Sequence, residues 1–162
     1  MAVITPIYLQ VLVVLHTRLK DTPICWAITG SMGMALQGMD LEIHDIDLQC
    51  DREGAYAIQN LFPEYMTERV QLLEREYTRS HFGRMQIMNL QVEVMGDMAH
   101  RGTGTDWNDP PDLSCLIRRV DFEGMDLPVM DLEHEYVAYQ QLGRPEKAAK
   151  IRDFLVRDKG DQ

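Results

Sequence analysis

The chain has 162 residues, which is long enough for one domain with an ordinary hydrophobic core. Its formal net charge of −10 repels the phosphate backbone of DNA or RNA, so the composition disfavours extended nucleic-acid binding. No apolar run is long enough to span a membrane and no signal-peptide cleavage pattern is present, so we expect a soluble, cytoplasmic protein.

The beginning of the chain predicts a helix, a buried strand and a short helix. Residues 5–20 carry apolar side chains at helical spacing after a Thr-Pro start. Residues 24–29 predict a short strand that ends at Gly30-Ser31. Residues 32–38 predict one or two helical turns.

The middle of the chain predicts two strands with a helix between them. Residues 44–50 alternate polar and apolar side chains, as a strand with one buried face does. Residues 51–61 predict a helix, and residues 66–73 fit either a strand or a helix. Residues 85–95 carry the longest strand pattern, with apolar side chains on one face and polar ones on the other.

The last part of the chain predicts a loop, two strands and two helices. Residues 96–112 are rich in Gly, Asp and Pro and predict the loop. Residues 116–120 and 127–130 predict strands around a tight turn. Residues 131–142 predict a helix that opens on a capping aspartate, and residues 145–156 predict the final helix.

This order of elements predicts one α+β domain with a small mixed β-sheet flanked by helices and a C-terminal helix pair. We expect the domain to span residues 1–162, with a core over about 24–130 and the helix pair over about 131–157. The three cysteines lack paired spacing, so we expect buried free thiols rather than a disulfide or zinc framework at Cys25, Cys50 and Cys115.

Two aspartates, Asp45 and Asp47, lie two residues apart on one predicted strand. Strand side chains alternate, so both carboxylates face the same side and can share divalent cations. Such close like charges repel unless metal or protons neutralise them, and magnesium prefers a few carboxylates together with phosphate oxygens. Glu93 supplies a third carboxylate, opposite the apolar face of a later strand. If the two strands are neighbours, the three acids form one metal site.

Gly30-Ser31 adds a candidate phosphate site ahead of these acids. Glycine lets the backbone approach a ligand closely, and the short helix that follows offers free amides to an anion. The Ser31 hydroxyl could bond a phosphate oxygen, and thirteen residues separate it from Asp45.

These residues together resemble the nucleotidyltransferase superfamily, which has the DNA polymerase beta-like fold, and in particular its small bacterial minimal and antibiotic-modifying members. The family signature is an apolar residue followed by Gly-Gly or Gly-Ser, a spacer, Asp-x-Asp or Asp-x-Glu between apolar residues, and a later strand carboxylate. The chain carries these positions as Gly30-Ser31, Asp45-Ile46-Asp47 and Glu93. Residues 128–155 resemble the closing helices of small bacterial members.

The resemblance implies a magnesium-dependent enzyme that moves a nucleoside monophosphate from a nucleoside triphosphate, ATP foremost, to an acceptor hydroxyl and releases pyrophosphate. Asp45, Asp47 and Glu93 would hold one or two Mg²⁺ ions, while Gly30 and Ser31 would bind the outgoing pyrophosphate. Small members modify aminoglycosides or lincosamides, adenylylate proteins, or act in toxin–antitoxin pairs. The acidity of the chain favours a cationic or small acceptor, whose pocket could lie at a homodimer interface.

The C-terminal region departs from the family pattern. Many small members carry a lysine one turn before an Arg-x-Lys-Asp sequence, whereas residues 139–147 read YQQLGRPEK. Arg144 and Lys147 remain as candidate nucleotide contacts. The absent lysine motivates an alternative, a catalytically inactive binding or regulatory protein that keeps the fold, for example in a toxin–antitoxin pair.

Other interpretations of the acidic residues stay open. Asp45 and Asp47 could be exposed acids on an edge strand, and Glu93 could be a solvated strand residue with Asp97 as the third acid instead. A calcium loop is disfavoured because residues 45–56 lack glycine at the sixth position and glutamate at the twelfth.

Two polar segments have less specific patterns. Residues 79–84 (RSHFGR) predict a hydrated loop ahead of the long strand, although they could reach a nucleotide or an acceptor. The glycines of residues 101–107 do not have the spacing of a phosphate loop, and Trp107 is expected to anchor that segment.

Overall fold

The computed structural model describes residues 2–102 and 106–160. These residues form five α-helices, α1 (Pro6–Leu19), α2 (Gly30–Leu36), α3 (Arg52–Leu61), α4 (Leu132–Gln141) and α5 (Pro145–Gly160). They also form seven strands, β1 (Trp26–Thr29), β2 (Ile46–Cys50), β3 (Met66–Glu74), β4 (Thr78–Ile87), β5 (Leu90–His100), β6 (Ile117–Phe122) and β7 (Met125–Met130).

All seven strands belong to one mixed sheet in the order β3-β4-β5-β2-β1-β7-β6. The β2–β5 and β1–β7 pairs are parallel, and the other pairs are antiparallel. Helices α4 and α5 follow the last strand as a pair. The predicted α+β class, mixed sheet and C-terminal helix pair are therefore confirmed.

Local sequence signals place several helix ends. The Asp51 carboxylate accepts the Gly54 amide hydrogen at the start of α3, and the Asp131 carboxylate accepts that of His134 at the start of α4. Each carboxylate satisfies an amide that has no partner within the helix. The predicted turn between β6 and β7 also forms, at residues 123 and 124.

The predicted single strand over residues 85–95 is wrong, because the chain turns back within it. Met88 and Asn89 have φ angles of 50° and 66° and connect β4 to β5 as a tight hairpin. Two consecutive positive φ angles match the turn that suits twisted antiparallel strands, although methionine is not its usual residue. The predicted loops over 79–84 and 96–112 are corrected accordingly, since β4 includes the first and β5 continues to His100.

The main hydrophobic core packs α1 and α3 against the sheet. Val11, Leu12 and Leu15 of α1 are fully buried with Ile28 of β1 and Leu48 of β2. A separate, smaller cluster joins α2 to the C-terminal helices through Met34, Met39, Leu132 and Ile151.

The remaining predictions about the chain concern its cysteines and its loop. The cysteines are free, but only Cys50 is buried, whereas Cys25 is half-buried and Cys115 is exposed. Trp107 lies against the guanidinium groups of Arg79 and Arg101, at 5.0 and 4.3 Å from its ring, as expected for a loop anchor. Residues 103–105 of the glycine-rich stretch lie outside the described residues. Among the described helices, none combines the length and apolar character needed to cross a membrane.

Candidate active site

Three carboxylates converge on one face at the middle of the sheet. Strand β2 lies between β1 and β5, and Asp47 is paired with Thr29 on one side and Glu93 on the other. Because β2 is an interior strand, the interpretation of Asp47 as an exposed acid on an edge strand is wrong. Asp45 lies just before the strand begins and is exposed.

The side chain of Gln91 joins Asp45 to Glu93. Its amide nitrogen donates to Asp45 Oδ2 at 3.2 Å and to Glu93 Oε1 at 2.9 Å. Arg84 also approaches Glu93, with 3.5 Å between Nε and Oε1. Asp97, the alternative third acid, instead accepts the Arg52 amide hydrogen at the start of α3.

The electrostatics of Asp47 fit a cation site. Burial, followed by the charges of Glu93 and Asp45, raises the pKa of Asp47 from 3.8 to about 7, and Lys147 opposes this shift. Clustered carboxylates with a raised pKa are stabilised when a divalent cation replaces the proton, and oxygen donors are those that magnesium prefers.

The carboxylates are close neighbours but are not already arranged around an ion. Across residues 2–102 and 106–160, no three His, Cys, Asp or Glu side chains form a metal-ligand cluster. Part of the reason is visible at Gln91, whose amide hydrogens occupy the space between Asp45 and Glu93. Side-chain rotation around a fixed backbone would be needed for all three to reach one ion.

Gly30 makes room for the Asp47 carboxylate. It begins α2 with a φ of +67°, and a Cβ atom at this position would lie 2.6 Å from Asp47 Oδ2. Any larger residue would therefore be strained in its backbone and would displace the carboxylate.

Ser31 and Lys147 lie beside the main cleft rather than in it. The Ser31 hydroxyl oxygen accepts the His44 amide hydrogen at 3.0 Å, which ties α2 to the residue before Asp45. Ser31, His44, Lys147 and Lys150 line an adjacent depression of about 200 Å³. Lys150 was not singled out from the sequence, because an exposed helical lysine carries no signal of its own.

The main cleft has a volume of about 330 Å³. Thr29, Gly30, Asp47 and Glu93 lie at the end that carries the carboxylates, and Arg144 also lines it. Side chains of β4 and β5 form its floor, and α4 forms its roof. Of the seven site residues predicted from the sequence, the cleft brings together Asp47, Glu93, Gly30 and Arg144, with Asp45 linked to them through Gln91.

Glu135 is a site residue that sequence reasoning missed. It is buried on α4, accepts the Thr29 hydroxyl hydrogen, and also accepts the Gly30 amide hydrogen. Burial raises its pKa to about 7, although these two hydrogen bonds oppose the shift. In the sequence it belongs to a charged helical run, Glu133-His134-Glu135, that resembles a solvated face.

The chain is similar to known nucleotidyltransferases in sequence and in fold. The profile of the aminoglycoside-2″-adenylyltransferase family matches residues 11–154. The crystal structure of a Thermotoga maritima protein assigned as a nucleotidyltransferase is 44% identical, with a TM-score of 0.85, and the match covers 96% of this chain and 97% of that one. The lincomycin-bound lincosamide adenylyltransferase LnuA is similar in fold, with a TM-score of 0.55 at 11% identity over 91% of this chain and 98% of that one. A search of curated proteins found no significant match.

Proposed function

The chain belongs to the aminoglycoside-2″-adenylyltransferase family and is a nucleotidyltransferase, and we propose that it uses Mg²⁺ to move a nucleoside monophosphate, AMP foremost, from a nucleoside triphosphate to the hydroxyl of a small acceptor. The observation that carries this proposal is the convergence of Asp45, Asp47 and Glu93 beside a cleft.

Asp45, Asp47 and Glu93 are the residues that would hold Mg²⁺. Asp47 is fixed by strand pairing on both sides, whereas Asp45 lies outside the strand, so its side chain is free to turn towards a metal ion. The metal would supply positive charge against the carboxylates and the phosphate oxygens. Glu93, on the cleft side of Asp47, is placed either to bind a metal or to accept the proton of the acceptor hydroxyl.

The depression beside Asp47 suits the nucleotide phosphates. Lys147 and Lys150 bring two positive charges to it against the one carboxylate of Glu42. The Ser31 hydroxyl hydrogen can be donated because its oxygen serves as the acceptor for His44. Arg144 lies at the rim of the main cleft, where it can reach a phosphate from the other side. In this arrangement the chain acts chiefly by positioning the reactants and by electrostatics.

Pyrophosphate release tests the proposal. The protein is incubated with Mg²⁺, each of ATP, GTP, CTP and UTP, and an acceptor panel that includes kanamycin and lincomycin. Asp45→Asn and Asp47→Asn should each reduce turnover by at least about a thousandfold, since charge neutralisation at a reaction centre contributes several kcal/mol. Asp153→Asn, an exposed acid on α5, is the matched control and should leave turnover unchanged.

The alternative, a catalytically inactive binding or regulatory protein that keeps the fold, gives a different result. Calorimetry with Mg²⁺ would then detect no binding of ATP, GTP, CTP or UTP, and no acceptor would release pyrophosphate above the level of Asp47→Asn. Unchanged turnover in either aspartate variant would contradict the assignment of the carboxylates. The single domain over residues 1–162 and the homodimer stay predictions, which limited proteolysis and light scattering test respectively.

A further inference from the structure

Gln91 joins two of the carboxylates that would bind the metal ion. It lies on β5 two residues before Glu93, so both side chains leave the strand on the same face. Strand β2 is paired in parallel with β5, and Ile46 lies beside Val92, so the preceding residues Asp45 and Gln91 are also neighbours. One amide group therefore reaches both acids, at 3.2 Å from Asp45 Oδ2 and 2.9 Å from Glu93 Oε1.

The Gln91 amide group acts towards these acids as a cation does. The like charges of Asp45, Asp47 and Glu93, which we call the carboxylate cluster, repel each other unless a positive or donating group lies among them. Amide hydrogens carry partial positive charge, and those of Gln91 are donated to carboxylate oxygens on either side. The amide thereby offsets part of the repulsion within the cluster.

A divalent cation and this amide group compete for the same place. A magnesium ion shared by Asp45 and Glu93 would lie about 2.0–2.1 Å from their oxygens, in the space that the amide nitrogen fills. The partial charge of the amide hydrogens would repel the ion whichever carboxylate oxygen it contacts. Gln91 must therefore turn away before the ion binds, and the free energy of its two hydrogen bonds is subtracted from that of ion binding.

Arg84 holds Glu93 from the other side. Its Nε atom lies 3.5 Å from Glu93 Oε1, and its guanidinium group is also 2.5 Å from Glu68 Oε1 on β3. Glu93 thus keeps a second partner when the Gln91 side chain turns away. Removing the Gln91 donor should therefore change the affinity for an ion without displacing the carboxylate.

We propose that Gln91 is a positioning residue that competes with the metal ion: it holds Asp45 and Glu93 together, turns away when the ion binds, and so lowers their affinity for a free divalent cation. The inference rests on the proposed function, which assigns the ion to these acids. An ion that arrives on a nucleotide gains further contacts, because the phosphates can meet Lys147 and Lys150. Those contacts offset the cost of displacing the amide, whereas a free ion has no such gain.

Binding of Mn²⁺, a paramagnetic substitute for Mg²⁺, tests this inference without turnover. Electron paramagnetic resonance measures free Mn²⁺ during titration of the full chain at physiological salt. Gln91→Met keeps the length of the side chain but removes the donor, and it should bind Mn²⁺ at least about tenfold more tightly than the unmodified protein. A tenfold change corresponds to about 1.4 kcal/mol, which is no more than one hydrogen bond to a charged group contributes.

The chain offers a matched control on the neighbouring strand. Gln86 is an exposed glutamine of β4 and is paired with Gln91 across the β4–β5 hairpin. Gln86→Met makes the same chemical change one strand away from the cluster, and it should leave the affinity for Mn²⁺ unchanged.

Urea unfolding separates competition with the ion from ordinary packing. In EDTA, Gln91→Met should unfold at a lower urea concentration than the unmodified protein, because the carboxylates lose their donor. Mn²⁺ should then raise the unfolding midpoint of the variant more than that of the unmodified protein, since tighter binding to the folded state stabilises it more. A side chain that only packed would lower both midpoints by the same amount with and without Mn²⁺.

The outcomes distinguish this inference from the proposed function. Equal or weaker Mn²⁺ affinity in Gln91→Met, while Asp47→Asn abolishes binding, would overturn the inference alone. If Asp47→Asn binds Mn²⁺ as tightly as the unmodified protein, or if neither binds it, the metal site is wrong and the inference fails with it. Tighter binding by Gln91→Met without pyrophosphate release from any acceptor would support the inference and contradict transfer by this chain.

Discussion

Replacing Asp47 by asparagine should stabilise the metal-free protein above about pH 7 while it removes transfer. In the folded chain burial and the neighbouring acids raise the pKa of Asp47 from 3.8 to about 7. A carboxyl whose pKa is higher in the folded than in the unfolded state binds more protons when folded. Its ionisation therefore lowers the free energy of unfolding progressively as the pH rises from about 4 to about 7.

The magnitude follows from the shift. A rise of roughly three pKa units corresponds to at most about 4 kcal/mol, and the partial exposure of Asp47 reduces the expected effect to about 2 kcal/mol. Asparagine keeps the shape of the side chain but carries no charge, so the variant should lack this destabilisation at every pH. The difference between the two proteins should be small below about pH 4, should grow as the pH rises, and should be largest near pH 8.

Urea unfolding followed by circular dichroism in the presence of EDTA measures this difference. Adding Mg²⁺ should narrow it, because a cation that binds the native site stabilises only the protein that keeps the aspartate. Asp153→Asn, on the exposed side of α5, serves as the control and should follow the unmodified protein at all pH values. A stability difference between Asp47→Asn and the unmodified protein that is the same near pH 5 and near pH 8 would refute the reasoning.

Two further predictions concern the turn beneath the carboxylates. Gly30→Ala should reduce the rate of transfer at least about a hundredfold, since the new Cβ atom would meet the Asp47 carboxylate. Gly124 has a similarly positive φ, but a Cβ atom there would have nothing within 4 Å. Gly124→Ala should therefore lower the free energy of unfolding by about 1 kcal/mol and leave initial rates unchanged. Equal rates for the two variants would contradict the steric argument. Glu135→Leu should lower the free energy of unfolding by about 1–3 kcal/mol, because it leaves a buried hydroxyl and an amide without an acceptor. Glu133→Leu, at an exposed position of the same helix, is the control. If urea unfolding shows the same loss of stability in both variants, the contact of Glu135 with Thr29 and Gly30 has no special role.

The features that the sequence predicted well are those set by short-range chemistry. The alternation along residues 44–50 placed Asp47 on a strand opposite the buried Ile46 and Leu48, as the structure has it. The aspartates that open α3 and α4 cap amides three residues ahead. These signals depend on a few neighbouring residues, so no knowledge of the rest of the fold is needed to interpret them.

The features that the sequence could not specify depend on distant partners. The β4–β5 turn at Met88-Asn89 has no glycine, and the apolar side chains around it continue the strand pattern without a break. Glu135 meets Thr29 across 106 positions of the chain, and only the docking of α4 onto β1 makes that glutamate part of the site. The main cleft likewise requires the β4–β5 hairpin and α4 to be placed together, which no local pattern indicates.

The smaller cluster that holds the C-terminal helices has a consequence for how the site is supported. Met34 of α2 packs there with Leu132 of α4 and Ile151 of α5, while Met32 of α2 packs in the main core. Helix α2 therefore links the C-terminal helices to the sheet. Removing α5 should loosen α4, and with it the Glu135–Thr29 contact, although α5 contributes none of the clustered carboxylates.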